Sequence, residues 1–396
     1  LRKRYRDLAR AVAPLGARVH YAMKANSNQA VLALFAAEGA GVDTVSGGEI
    51  TRALKAGFTS GDVVYSGVGK TVEELAAALD AGIHQFNVES VEELRLLSAL
   101  ATDKGVVAPV ALRVNPDVDA GTHAKITTGK KDNKFGIDFE RIPALENELK
   151  ALPGIRLVGL ACHIGSQIVS PGPFHAAYQR MAELTTLLRG RGHAIERLDL
   201  GGGFGIAYEN ELELSPADVA ETIKTTVGHL GCQLSIEPGR TLVADAGVLM
   251  AKVIVVKDAG AMQFLIIDGA MNDLIRPAMY DSHHDIVPVR APHAGDASVS
   301  YDVVGPICES SDTFAKRRVL PAQQMGDLIV FATAGAYGAT MSSTYNARPL
   351  VAEVMVDGDH YAVVRRRFGI DEQIALETIP DFARNAPDGA RAEAAE

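Results

Sequence analysis

The chain has 396 residues, 47% of them hydrophobic and 22% charged, an ordinary globular composition with length enough for a large core and two domains. A formal net charge of -10 leaves no basic footprint for nucleic acid or an anionic membrane, so the expected partner is a small molecule, held by a local arginine cluster if anionic. No apolar run approaches about 20 residues, the charged start Leu1 to Arg10 is not followed by a signal-peptide segment, and Cys162, Cys232 and Cys308 form neither a disulfide framework nor a CxxC pair; a cytoplasmic chain with reduced thiols is expected.

Leu1, Tyr5, Leu8, Ala9 and Val12 share one helical face, so residues 1 to about 13 read as an amphipathic helix closed by Pro14 and Gly16. Short β-branched or apolar runs then recur at Val19 to Ala25, Val42 to Val45, Val63 to Ser66, Gln85 to Val88, Val110 to Val114, Leu157 to His163, Leu198 to Leu200 and Leu234 to Ile236. Alanine- and leucine-rich stretches of helical period separate them. Strand and helix alternating in this way imply right-handed βαβ units and a parallel sheet, and eight units in about 240 residues is the size of a (β/α)8 TIM-like barrel. An open doubly wound sheet is the alternative. After residue 245 the sequence becomes strand-rich without helices, with runs at Gly247 to Val256, Gln263 to Ile267, Ser298 to Val304, Leu328 to Ala332, Val351 to Val356 and Tyr361 to Arg366, the last two joined by an Asp357-Gly358 turn. The expected organisation is a barrel over 1–245, a mostly antiparallel β-sandwich or barrel domain over 246–385, and a flexible tail over 386–396.

Barrel enzymes carry their sites on the loops after the strands. Here strand one ends at Lys24, strand six at His163-Ile-Gly-Ser-Gln167, strand seven at Gly201-Gly-Gly-Phe-Gly205 and strand eight at Glu237-Pro-Gly-Arg240. Each has a bland alternative. Lys24 could be a solvated rim charge, Gly201 to Gly205 a tight turn, Glu237 and Arg240 a surface ion pair, and His163 a packed core residue facing opposite to Cys162. Taken together they suit one planar aldehyde with a phosphate tail: Lys24 as a nucleophilic amine with its pKa lowered by desolvation, His163 stacked on the ring, the glycine run with an adjacent helix N-terminus as a phosphate cradle, and Glu237 on a protonated ring nitrogen. That molecule is pyridoxal 5'-phosphate (PLP). Ser66 to Thr71 mimics the end of a P-loop, but Val64 stands where its first glycine is required. His283, His284 and Asp285 lack a further clustered ligand and read as a solvated loop, so no metal is expected.

The motifs Tyr21-Ala-Met-Lys-Ala-Asn26, Cys162-His-Ile-Gly-Ser-Gln167, Gly201-Gly-Gly203 and Glu237-Pro-Gly-Arg240 together resemble the alanine-racemase-like, fold-type III PLP decarboxylases. Asn272 to Tyr280, Gly305 to Asp312, Met341 to Pro349 and the loop His123 to Gly136 resemble the branch of that family that acts on meso-diaminopimelate. The resemblance covers nearly the whole chain. It departs in Met23, where valine is commoner, and in an N-terminus expected to lack the family's first strand. It implies that Lys24 carries PLP, that His163 stacks on it, and that Ser166, Gly202, Gly203, Glu237, Arg240 and Tyr345 bind or orient it. Arg240, Arg276, Tyr280, Glu309 and Tyr345 would recognise substrate, Cys308 or Lys24 would return the proton to the product carbon, and a homodimer would share Cys308 and Glu309 between subunits. Arginines for a distal carboxylate and a glutamate for a distal amine use charge-assisted hydrogen bonds of roughly 1.5 to 3 kcal/mol each, which ornithine or lysine could not match. The competing readings are an ornithine, lysine or arginine decarboxylase of the same fold, a racemase, and a non-catalytic PLP-binding regulatory homologue.

Overall fold

The structure is a computed structural model that describes residues 1–119, 134–291, 295 and 297–384. The predicted tail, and the loop His123 to Gly136 up to residue 133, lie outside these residues.

Eight parallel strands close into a barrel: β1 (Ala17–Ala22), β2 (Gly41–Thr44), β3 (Val63–Tyr65), β4 (Gln85–Val88), β5 (Ala108–Asn115), β7 (Ile155–Cys162), β8 (Arg197–Asp199) and β9 (Gln233–Ile236), with β6 (Ile137–Asp138) a short addition beside β5. Pairing of β1 with β9 and of β4 with β5 completes the ring, which excludes the open-sheet alternative. Several of the intervening helices start at side-chain caps. Thr71 and Glu74 form a capping box for Val72–Ala81, and Ser46 and Ser90 accept from Glu49 and Glu93 N–H at the starts of their helices.

The period of two within each strand sorts the side chains into two environments. Val42, Phe86, Leu112, Leu160 and Ile236 belong to the buried apolar core that includes the helices. The opposite positions share register across the ring, Ala22 beside Asp43 and Ala161 beside Asp199 and Ser235, and fill the lumen with small or polar residues. This is why the barrel can hold charged groups at its centre: the helix-facing shell supplies the apolar burial, and the lumen needs only internal hydrogen bonding.

The second region builds a six-stranded sheet from β10 (Leu249–Asp258), β11 (Gln263–Ile267), β12 (Ile286–Pro288), β13 (Ser298–Val304), β14 (Thr313–Pro321) and β15 (Leu328–Phe331), in the order β12-β15-β10-β11-β13-β14. Only β11 and β13 pair in parallel. Leu265, Ile267, Val303 and Phe331 centre its core. Strands β12 and β14, the two edges, are absent from the sequence expectation. β14 carries Lys316, Arg317 and Arg318 in its middle, the charge pattern by which edges resist pairing with other chains and the reason it does not read as a strand. β16 (Glu353–Asp357) and β17 (His360–Arg365) pair with each other across Gly358, as the turn signal predicts. Asn28 Nδ2 donates to Glu353 Oε1 at 3.0 Å, which brings this hairpin back to the barrel. No helix among the described residues is long and apolar enough to cross a membrane.

Candidate active site

Lys24 stands at the C-terminal end of β1, where the strand passes into the turn Met23–Ala25. Met23 and Ala25 are buried on either side, and Ala25 O accepts from Tyr337 N–H at 2.8 Å, so the turn is anchored while Lys24 keeps 35% of its side chain exposed. Its Nζ lies 3.3 Å from Asp43 Oδ2, on a carboxylate with no exposed side-chain surface. Burial opposes the ammonium charge, but the Asp43 carboxylate outweighs it and holds the pKa above the ordinary lysine range. The expectation of a lowered pKa is therefore corrected. The amine rests protonated against Asp43 and must give up a proton before it can attack a carbonyl.

Glu237 follows β9 and sits over Asp199, at the end of β8. Asp199 accepts from Asn87 Nδ2 at 2.9 Å and from Gly201 N–H at 3.1 Å, and Asn87 is itself fixed by Ser66 and Gln85. The two carboxyl groups share a hydrogen bond. Burial, then the charges of Asp199 and Asp43, push Glu237 well above the usual carboxylate range, so Glu237 carries the shared proton. The surface ion pair between Glu237 and Arg240 is not what forms, since both side chains are buried and Arg240 turns to other partners.

His163 lies one residue beyond β7, on the lumen side, whereas Cys162 packs into the helix-facing core. The His163 ring accepts from Gly202 N–H through Nδ1 at 3.2 Å, and burial, then Lys24 and Arg113, keep it neutral. The glycine run is fixed first by space. A Cβ at Gly202 would fall 1.9 Å from Glu237 O and one at Gly203, where φ is +97°, 2.1 Å from Gly165 O. These contacts suit a tight turn, and a helix N-terminus adjoins it in space: the short helix Arg240–Val243 begins beside the run, with Thr241 Oγ1 donating to Phe204 O at 2.7 Å. Gln167 holds this rim together, donating to Ile206 O at 2.6 Å and accepting from Ile206 N–H at 3.3 Å.

Beside the rim are two buried guanidiniums. Arg240, 7% exposed, donates to Tyr208 Oη at 2.6 Å and to Ser166 Oγ at 3.1 Å, with its Cζ 4.9 Å from the centre of the Tyr337 ring. Arg276, 4% exposed, opens the short helix Arg276–Tyr280 and lies with its Cζ 4.4 Å from the centre of the Tyr208 ring. Burial lowers the Arg276 pKa to about 10, and Arg240 adds to the effect. Neither guanidinium makes an ion pair among the described residues; Tyr208, a neutral ring, lies between them. His284 is a further correction. It is 2% exposed rather than part of a solvated loop, and it contacts Arg276 Nη1 through Nε2 at 2.8 Å.

The structure thus brings Lys24, His163, Ser166, Gly202, Gly203, Glu237, Arg240 and Arg276 to one end of the barrel, with Tyr280 half-buried near Arg276. Cys308, Glu309 and Tyr345 form a second, exposed cluster: Tyr345 Oη donates to Glu309 Oε1 at 2.6 Å, and Cys308 N–H to Asn346 Oδ1 at 3.1 Å. Lys70 of the P-loop-like stretch is buried, donating to Gly67 O, Asn87 O and Glu93, which accounts for it as a structural cation. Sequence reasoning missed Asp43, Asp199, Tyr208, Tyr337 and His284. For the two aspartates a signal existed: a carboxylate inside a parallel strand, where both faces are buried, is out of place unless it has work in the lumen.

Three buried polar atoms at this end have no hydrogen-bond partner: Glu237 Oε1, Asp43 Oδ1 and Arg240 Nε. A ligand with a protonated ring nitrogen and a phosphate would satisfy the first and the last, so the residues present fit PLP. Among the described residues, no three His, Cys, Asp or Glu side chains are grouped to hold a metal ion.

Residues 1–244 match the family model described as pyridoxal-dependent decarboxylase, pyridoxal binding domain. The diaminopimelate decarboxylase of Zymomonas mobilis is 50% identical over 89% of this chain and 84% of its own length, and that of Vibrio cholerae 48% identical over 91% and 86%. The crystal structure of diaminopimelate decarboxylase from Helicobacter pylori, complexed with L-lysine, superposes with a TM-score of 0.91 at 37% identity, covering 94% of this chain and 93% of that one. The chain belongs to the pyridoxal-dependent decarboxylase family, on its diaminopimelate decarboxylase branch.

Proposed function

We propose that this chain, working with PLP, decarboxylates meso-2,6-diaminopimelate to L-lysine and CO2, the last step of lysine biosynthesis. The observation that carries the reading is the pair Arg240 and Arg276, two buried guanidiniums with no ion-pair partner among the described residues. Two anions are called for, a phosphate and a carboxylate that the reaction does not remove. Ornithine and lysine bring no second carboxylate and would leave Arg276 without a counter-ion.

When bound, PLP supplies a sink for the electron pair left as CO2 departs. Lys24 would hold it covalently, His163 would cover its ring, and Ser166, Gly202, Gly203, Arg240 and Tyr345 would bind or orient it. Glu237, its Oε1 without a partner, would keep a proton on the ring nitrogen, and Asp199 fixes that carboxyl in place. Lys24 must lose a proton to act, and Asp43, 3.3 Å away, is the base within reach. His163, neutral and accepting at Nδ1, presents an uncharged ring carrying its proton at Nε2. Arg276 and Tyr280 take the distal carboxylate and Glu309 the distal ammonium. Hydrogen bonds from Tyr345 and Ser311 hold Glu309 below the ordinary range, as an ammonium-reading group requires. The proton returned to the product carbon comes from Cys308 or from Lys24.

Cys308 and Glu309, in an exposed cluster with Tyr345, are read as completing a neighbouring subunit's site in a homodimer. The cluster's exposure and its partners are what such a shared loop requires. The chain divides into a PLP-binding barrel over 1–245 and a β domain over 246–385, and its three free thiols suit a cytoplasmic setting. The test of the site is Lys24→Ala: CO2 release from meso-diaminopimelate should be abolished, and near-wild-type release would overturn the assignment.

A further inference from the structure

We propose that His284 is a positioning residue that fixes the Arg276 guanidinium for the substrate's distal carboxylate. This rests on the reading that Arg276 takes that carboxylate.

The hydrogen bonds settle the state of the ring. His284 Nδ1 lies 2.9 Å from Ala332 O, and a carbonyl oxygen only accepts, so Nδ1 carries the proton. On the other side Nε2 lies 2.8 Å from Arg276 Nη1, and a guanidinium only donates, so Nε2 offers its lone pair. Both neighbours therefore demand the same neutral tautomer. The backbone locks it from a second direction. Ala332, directly after β15, donates its N–H to Asp285 O at 2.9 Å, so the ring and the chain beside it are both tied to the end of that strand. The Tyr208 ring meets His284 edge-on, at 5.5 Å and 78°, and also lies against Arg276. Ser282 Oγ accepts from Arg276 Nη2 at 3.2 Å. The guanidinium is thus held by an imidazole, a hydroxyl and an aromatic face, all neutral.

The choice of a neutral acceptor has a chemical consequence. An aspartate or glutamate at position 284 would fix Arg276 equally well, but it would cancel the charge and compete with the incoming carboxylate. A neutral imidazole gives orientation and leaves the full positive charge for the ligand. Orientation matters because a bidentate guanidinium–carboxylate pair depends on the plane of the fork, which a rotating arginine would not present.

The experiment uses the PLP-loaded protein and two probes, L-lysine and 1,5-diaminopentane, which differ only in one carboxylate. Calorimetric titration of the wild type should show tighter binding of L-lysine. In His284→Phe, which keeps an aromatic ring without an acceptor, the ratio of the two affinities should fall about tenfold, the worth of about one charge-assisted bond, while 1,5-diaminopentane binding changes less than about twofold. His284→Gln, whose amide oxygen can replace Nε2, should recover most of the ratio. In turnover, His284→Phe should raise KM for meso-diaminopimelate with little change in kcat. A ratio unchanged in His284→Phe, or an equal loss of both ligands, overturns the proposal, because a merely structural histidine affects both alike. If the wild type shows no preference for L-lysine, the assignment of Arg276 fails and this inference fails with it. Should His284→Phe not fold, His284→Asn, whose shorter side chain keeps a donor for Ala332 O but ends short of Arg276, reads the same ratio.

Discussion

Replacing Arg276 with methionine separates binding from stability, because the folded protein holds this cation against its environment. Burial brings the Arg276 pKa down to about 10 from 12.5, a shift that corresponds to a cost on the order of 3 kcal/mol for keeping the charge in the folded state. Methionine removes that cost, the repulsion from Arg240 included, and fills similar apolar volume beside Tyr208. Against this, His284 and Ser282 each lose a donor, at about 1 kcal/mol or more apiece. The two effects offset, so the unfolding free energy of Arg276→Met should stay within about 2 kcal/mol of wild type. Activity should not be spared. Loss of two charge-assisted hydrogen bonds to the distal carboxylate, worth at least about 3 kcal/mol together, corresponds to a fall of roughly 150-fold in kcat/KM. Urea titration followed by CO2-release kinetics on the same preparation measures both. A variant that loses much more stability than this, or that keeps kcat/KM within about threefold of wild type, would show that Arg276 is a structural anchor and refute the reasoning.

Stability should also fall on the acid side for a reason visible in the structure. Burial brings the pKa of His284 down to about 4 and that of His20 to about 3, from an ordinary 6.5, so the unfolded chain binds protons in that interval that the folded one refuses. The contribution is fully present above about pH 6.5 and is lost as pH falls towards 4, on the order of 3 kcal/mol for His284 alone; a urea midpoint that stays flat across this window would contradict it. The homodimer reading predicts complementation. Lys24→Ala and Cys308→Ala proteins, each inactive alone, should regain about a quarter of wild-type CO2 release when unfolded, mixed equally and refolded together, since half the dimers are mixed and each of those has one intact site. No recovery would place Cys308 in its own subunit's site, and a Cys308→Ala protein that is active alone would leave the proton to Lys24.

The barrel was legible because parallel strands buried on both faces leave apolar, β-branched runs, and each of the eight runs corresponds to a strand within a few residues. The edges of the second sheet were not, because edge strands carry charge and are short. β14 reads as a basic loop, and β12 has three residues. At the site, the residues on strand ends, Lys24, His163, Glu237 and Arg240, could be placed from their position in the βα repeat alone. Asp199 and Asp43 could have been, as carboxylates inside buried strands. Tyr208, Tyr337 and His284 could not. Their roles come from contacts far along the chain, His284 with Ala332 and Tyr337 with Ala25, and local polarity around His283 and Asp285 points the wrong way. The protonation of Lys24 is not legible in the sequence for a similar reason. A strand end predicts desolvation, but the opposing charge of Asp43 is supplied by the next strand in the ring.

What the loaded protein turns over bears most directly on its function. With PLP bound, CO2 release should be measured from meso-diaminopimelate, L-ornithine, L-lysine and L-arginine under identical conditions. The arrangement of Arg240 and Arg276 predicts release from meso-diaminopimelate with kcat/KM at least about 100-fold above that of the other three. Comparable or faster release from L-ornithine, L-lysine or L-arginine, or PLP binding with no release from any of them, would contradict it.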